Sequence, residues 1–174
     1  INLCNPQKLF LISGPCVVES EKMAFNIAKT LKDITLKLKI PFIFKASYKK
    51  ANRTSGLSFR SIGVMESLMI LGEIRSKLKI PVLTDIHSEV EAEIASEYVD
   101  ILQIPAFLSR QTELLEAAAR TGKIINIKKG QFLSPEDMIH QIKKVESAGN
   151  KKILVTERGT TFGYQNLVVD MRAL

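Results

Sequence analysis

The sequence predicts an α/β fold built on parallel strands, and three observations carry that prediction. Short apolar runs alternate with amphipathic segments six times along the 174 residues. No long linker or low-complexity tract interrupts them, so residues 1–174 read as one domain. The polar residues within the apolar runs gather at their C-terminal ends.

Taken in order, Leu9–Gly14 is a buried strand closed by Gly-Pro. Ile27, Leu31, Ile34 and Leu38 then stripe one helix, whose solvated face carries Lys29, Lys32, Lys37 and Lys39. Pro41–Ser47 is the second strand, and the helix after it carries Leu71, Ile74 and Leu78. Val82–His87 is the third strand, followed by a helix from Glu89 to Glu97. Ile101–Ile104 is the fourth, and Leu114, Leu115, Ala118 and Ala119 mark its helix. Ile124–Lys129 is the fifth. Ser134-Pro135-Glu136-Asp137 then supplies an N-cap, Pro at N1 and first-turn acids, and Gly149 a C′ residue. Lys152–Arg158 is the sixth strand, and Asn166–Met171 begins a further element.

A doubly wound sheet and a (β/α)8 barrel both accommodate this layout. Cys16, Lys45, Ser47, Asp85, His87, Gln103, Lys128 and Arg158 stand at or just beyond strand ends. In an open sheet a ligand lies at one switch point, so few strand ends need to be polar. In a barrel all strand ends meet at one mouth. The pattern favours a TIM (β/α)8 barrel, of which this chain supplies about the first six units. A barrel needs eight units and roughly 250 residues, so the domain is expected to be incomplete at its C-terminus.

Composition narrows the function. Hydrophobic residues make up 45% and charged residues 25%, the balance of a globular protein. No apolar run approaches the roughly 18 residues that span a bilayer. The first residues lack a basic region followed by an apolar one, and two cysteines, Cys4 and Cys16, make no disulfide scaffold. A cytoplasmic protein without membrane partners is expected. Lys and Arg number 25 against 18 Asp and Glu, a net charge of +7. Aromatics are only 6%, Trp is absent and the lysines are scattered, which disfavours nucleic acid. Small phosphorylated molecules are the better use of the charge.

Lys45, Lys50, Arg53, Lys128 and Arg158 can all face one barrel mouth and hold two anionic groups. Singly, each could equally be a lysine or arginine reaching solvent. Arg158 precedes Gly159-Thr160-Thr161, whose backbone N–H groups and hydroxyls suit phosphate oxygens. Cys16 taken alone reads as a small buried hydrophobe. His87 either lines the site or fills a core hydrogen-bonding role, and His140 reads as a surface residue. Asp85 either pairs with a strand-end cation, assists a metal or makes a structural salt bridge. These residues complete no metal site by themselves.

Seven phrases then occur together, in order. They are Gly14-Pro15-Cys16-Val17-Val18-Glu19-Ser20, Phe44-Lys45-Ala46-Ser47, Lys50-Ala51-Asn52-Arg53-Thr54-Ser55 and Thr84-Asp85-Ile86-His87. Gln103–Leu108 with Arg110-Gln111-Thr112, Asn126–Phe132 and Glu157–Tyr164 complete the set. Over essentially its whole length the chain resembles the 3-deoxy-D-manno-octulosonate 8-phosphate synthases. The resemblance implies a (β/α)8 barrel, usually tetrameric, that condenses phosphoenolpyruvate with D-arabinose 5-phosphate and water, on the route to lipopolysaccharide. It implies that Lys45, Lys50, Gln103, Ala106, Lys128 and Arg158 contact phosphoenolpyruvate. Asn52 would meet the pentose, Arg53 and Thr54 its phosphate across a subunit boundary, and Ser47 and Asp85 would complete the mouth.

In that family Cys after the Gly-Pro of the first-strand motif marks metal-dependent members, and Asn marks metal-independent ones. The resemblance therefore makes Cys16 a ligand of a divalent metal, for which iron, zinc and manganese are all open. The family's other ligands (a His, a Glu and an Asp) come from the last two barrel units, beyond residue 174. Lys49 stands where Asp is usual and Gly56-Leu57 where Ile-His is usual, while Ser109 occupies a variable position.

Two other readings stand beside this one. The related 3-deoxy-7-phosphoheptulonate synthases, which use erythrose 4-phosphate, typically have Lys-Pro-Arg-Thr where this chain has Lys50-Ala51-Asn52-Arg53-Thr54. Asn52 suits an extra sugar hydroxyl and favours the pentose. The third reading is a non-catalytic truncated fragment; open sheet edges and an uncovered interior weigh against it.

Overall fold

The computed structural model describes residues 9–51 and 61–174. Asn52, Arg53 and Thr54 lie outside the described residues. The chain divides into two compact units, Ile1–Thr84 with Glu97–Asp100, and Asp85–Ser96 with Ile101–Leu174. In each unit strands alternate with helices and these strands pair in parallel, the α/β architecture of a partial (β/α)8 barrel.

The first unit contains β1 (Leu11–Ser13), α1 (Glu21–Lys37), β2 (Phe42–Lys45), α2 (Val64–Leu78) and most of β3 (Val82–Asp85). β1 pairs with β2 through Leu11–Phe42 and Ser13–Phe44, and β2 with β3 through Phe44–Val82 and Lys45–Leu83. Phe42, Ile43, Phe44, Val82 and Leu83 are all buried, as expected of parallel strands covered on both faces. Ser20 caps α1 by accepting the Met23 N–H at 3.3 Å.

The buried face of α1 is not the predicted stripe. Ala24, Ala28 and Thr35 are buried, whereas Ile34 and Leu38 are exposed. Small side chains let the helix approach its neighbours closely, and this turns the larger ones outward. Lys32 also leaves the solvated face: its ammonium donates to the Leu78 carbonyl at 2.9 Å, at the C-terminal end of α2. Leu38-Lys39-Ile40-Pro41 and Leu78-Lys79-Ile80-Pro81 form two like helix-to-strand turns, with Lys39 at φ 55° and Lys79 at φ 51°. In each, a left-handed residue ends the helix and Ile-Pro leads into a strand.

The second unit contains most of α3 (Glu89–Tyr98), then β4 (Ile101–Ile104), α4 (Thr112–Arg120), β5 (Ile124–Lys128), α5 (Met138–Ser147) and β6 (Ile153–Thr156). β4 and β5 pair in register Gln103–Asn126, and β5 and β6 in register Lys128–Thr156. Leu114, Leu115, Ala118 and Ala119 form the buried face of α4, as the sequence predicts. Asn150 is buried and ties the α4–β5 turn to the start of β6. Its Nδ2 donates to the Ala119 and Lys123 carbonyls, and its Oδ1 accepts from the Lys152 N–H.

Two expectations for this half change. Helix α5 begins at Met138, not within Pro135–Asp137. Ser134 and Asp137 instead close a leading turn, each backbone N–H donating to the other's side chain. The Ser134 N–H and hydroxyl hold the Asp137 carboxyl below its ordinary range. The segment after β6 is no further β/α element. It folds as an antiparallel hairpin, β7 (Thr160–Phe162) with β8 (Asn166–Val168), turned at Gly163 with φ 67°.

One close approach bears on the site. A Cβ on Gly14 would lie 2.0 Å from the Lys45 carbonyl oxygen. Gly14→Ala is therefore expected to push the chain after β1 away from the end of β2. The expected cost is about 1–3 kcal/mol, the range for overpacking, read as a lower urea midpoint; an unchanged midpoint contradicts this packing.

Candidate active site

In the first unit the strand-end polar residues converge on one hydroxyl. Lys45 ends β2, and Ser47, two residues on, lies on the same side of the extended chain. The side chain of Ser47 is fully buried, and its backbone bridges in parallel to Val17, with the Val18 N–H donating to its carbonyl at 3.0 Å. The Lys45 and Lys50 ammoniums each donate to Ser47 Oγ at 2.9 Å. Two like charges gathered on one neutral oxygen suit an anionic ligand.

Cys16 precedes Val17 at the Ser47 bridge. Its thiol is free and exposed, contrary to the reading of a buried hydrophobe. Gly14 and Pro15 bring the chain out of β1 before it returns to pair at Val17, so Cys16 stands at the surface of the turn.

The second unit carries the other group. Asp85, Gln103, Asn126 and Thr156 form one directional chain of hydrogen bonds. The Thr156 hydroxyl donates to Asn126 Oδ1 at 2.8 Å, and Asn126 Nδ2 donates to Gln103 Oε1 at 2.9 Å. Gln103 Nε2 then donates to Asp85 Oδ1 at 2.5 Å. Every dipole in this chain points its donor toward the Asp85 carboxylate, so the bonds reinforce one another. Gln103 and Asn126 are buried. With both of its polar atoms engaged, the Gln103 amide is locked in one orientation and keeps a single N–H for a ligand.

Lys128 and Arg158 are half-buried and have no hydrogen-bond or ion-pair partner among the described residues. Ala106 follows Pro105 in a short 3-10 turn, Ala106–Leu108. His87 has a hydrogen-bonding role. It is partly buried at the end of β3 and faces Glu91, whose Oε2 lies 3.3 Å from Nδ1 and accepts the His87 N–H at 2.9 Å. His140 is exposed, as predicted.

The expectation that Gly159-Thr160-Thr161 cradles a phosphate is not met by the Gly159 and Thr161 N–H groups. The Gly159 N–H donates to Glu157 Oε1, and the Thr161 N–H to the Gln131 carbonyl. Thr160 Oγ1 accepts from the buried Lys129. The loop spends these groups on its own shape, with Gly159 at φ 91°.

Sequence reasoning passed over Asn126, Thr156 and Lys129. Asn126 interrupts the run Ile124-Ile125-Asn126-Ile127, and a polar residue inside a buried strand needs partners. Lys128 and Lys129 are adjacent and extended, so they point to opposite sides. One of them had to enter the protein.

The family model described as the DAHP synthetase I family matches residues 1–174. This chain belongs to that family. It is 56% identical over 167 residues to a 2-dehydro-3-deoxyphosphooctonate aldolase of Koribacter versatilis (strain Ellin345), covering 96% of this chain and 60% of that protein. The protein of that name from Syntrophobacter fumaroxidans (strain DSM 10017 / MPOB) is 56% identical over 167 residues, with 96% and 58% covered. The one from Acidithiobacillus ferrooxidans (strain ATCC 53993 / BNL-5-31) is 53% identical over 165 residues, with 95% and 59% covered. The chain thus spans about 60% of the length of these relatives.

Asn126→Ala is expected to strand the buried Gln103 carbonyl and release its amide. The predicted loss is about 1–3 kcal/mol of stability, the cost of one unsatisfied buried polar group. Urea unfolding checks it, and a shift below about 0.5 kcal/mol, the scale of an ordinary surface change, contradicts the chain's role.

Proposed function

We propose that this chain is the major part of an enzyme that condenses phosphoenolpyruvate with D-arabinose 5-phosphate and water. The products are 3-deoxy-D-manno-octulosonate 8-phosphate and inorganic phosphate, for lipopolysaccharide precursors. The observation that carries this reading is the convergence of the Lys45 and Lys50 ammoniums on Ser47 Oγ. Relatives more than half identical that bear the octonate aldolase name support it, as do the family's strand-end motifs.

In this reading Lys45, Lys50, Lys128 and Arg158 neutralise phosphoenolpyruvate, with Gln103 and Ala106 as further contacts. Asn52, Arg53 and Thr54 receive the pentose phosphate. C3 of phosphoenolpyruvate bonds to the aldehyde carbon, whose oxygen takes a proton. Water adds at C2; one of its protons balances the one taken by the aldehyde oxygen, and the other leaves with phosphate as the C2 carbonyl forms and the C2–O bond to phosphate breaks. The cations hold two mutually repelling anions in reacting geometry and stabilise the charge that develops. In the same reading Asp85, which accepts from Gln103, orients a hydroxyl or water.

The reading includes a cytoplasmic homotetramer and a divalent metal with Cys16 as one ligand. Cys16 offers an exposed thiol beside the Ser47 bridge, but no three metal-ligating side chains come together among the described residues. One thiol does not make a metal centre, and no step is assigned to the metal. No helix among the described residues is long and apolar enough to cross a membrane.

Phosphate release by the complete protein with each acceptor tests the reaction. Turnover is expected to be faster with arabinose 5-phosphate; faster release with erythrose 4-phosphate assigns the heptulosonate reaction, and none with either leaves only the fragment reading. Exhaustive chelation is expected to abolish activity and Cys16→Asn to restore metal-free turnover. Full activity after chelation would place the enzyme in the metal-independent class.

A further inference from the structure

The side chain of Lys129 is among the largest that are fully enclosed, with 1% of its surface exposed. A buried ammonium is costly unless its hydrogens meet oxygen. Here the three N–H groups face three near acceptors: the Leu133 carbonyl at 3.0 Å, the Gly159 carbonyl at 3.1 Å and Thr160 Oγ1 at 2.9 Å. The Gly130 carbonyl lies at 3.4 Å and Glu157 Oε1 at 3.7 Å. Glu157 in turn accepts the Gly159 N–H.

These acceptors belong to two loops, one leaving β5 and one leaving β6. At the start of each loop stands a cation with no side-chain partner among the described residues, Lys128 closing β5 and Arg158 two residues past β6. Lys128 is joined directly to Lys129, and Arg158 lies between Glu157 and Gly159, both of which the Lys129 ammonium contacts. An apolar side chain could fill the same space, but it could not bind both loops or balance Glu157.

We propose that Lys129 is a positioning residue for the phosphoenolpyruvate site: its buried ammonium sets the Lys128 and Arg158 backbones in the spacing that the anion needs. This rests on the functional reading above and deepens it. Lys129 touches no substrate. It acts through the two loops, and its effect should fall on one substrate only.

The test is steady-state kinetics on the complete protein, first wild type and then Lys129→Met, which keeps the stem and removes the charge. The KM for phosphoenolpyruvate is expected to rise at least tenfold while that for arabinose 5-phosphate stays within twofold. A merely structural role would lower the folded fraction, and so kcat, with both KM values unchanged. That result, or an equal rise in both, would overturn the inference. If Lys129→Met does not fold, Thr160→Val removes one acceptor in nearly the same shape. It is expected to raise the phosphoenolpyruvate KM two- to fivefold alone, and an unchanged value would overturn the inference. A wild-type protein without turnover would overturn the functional reading and this inference with it; a turning-over protein whose variants keep their KM values overturns this inference alone.

Discussion

Polar groups buried at the ends of parallel strands must find partners inside the protein, and the rest of the site depends on how they do so. In the second unit the solution is the chain from Thr156 through Asn126 and Gln103 to Asp85. Each amide in it donates with its nitrogen and accepts with its oxygen, so none can flip without breaking two bonds. The strand register makes this possible by setting Gln103 opposite Asn126 on adjacent strands. Geometry at the candidate site is thereby delegated to the pairing of the sheet, the most rigid part of the fold.

The charge of the chain acquires a similar division of labour. Some of the +7 is ordinary surface charge, such as Lys77 paired with Glu73. Lys32 holds a helix end, and Lys129 is wholly internal. Lys45 and Lys50 share a hydroxyl, whereas Lys128 and Arg158 have no partner among the described residues. Like charges repel, and an anion bound beside Lys128 and Arg158 would relieve that repulsion.

Much of this was legible beforehand, for definite reasons. Strand and helix positions follow from apolar periodicity, and Lys45, Ser47, Gln103 and Lys128 could be placed because parallel strands end in Gly, Pro or polar residues. What escaped depended on contacts between distant residues. The face of α1 is decided by the close fit of Ala24 and Ala28, not by the largest apolar stripe. The hairpin after β6 resembles a new strand because Leu167-Val168-Val169 is apolar, yet its pairing with Thr160–Phe162 depends on the turn at Gly163. Cys16, taken alone a small buried hydrophobe, is exposed, and Lys129, which the sequence did not single out, is enclosed. The oxygens that enclose Lys129 lie up to 31 residues away, beyond what local pattern can show.

The strand ends of the second unit are expected to act as a preset anion receptor, rigid before an anion arrives. The most direct measurement is a crystal structure of the complete protein with phosphoenolpyruvate, beside one without it. The ligand is expected on Lys128 and Arg158, with the Asp85–Gln103–Asn126–Thr156 chain unbroken and Lys129 still bound to both loops. A ligand seated away from those cations, or a Gln103 amide that turns over on binding, would contradict it.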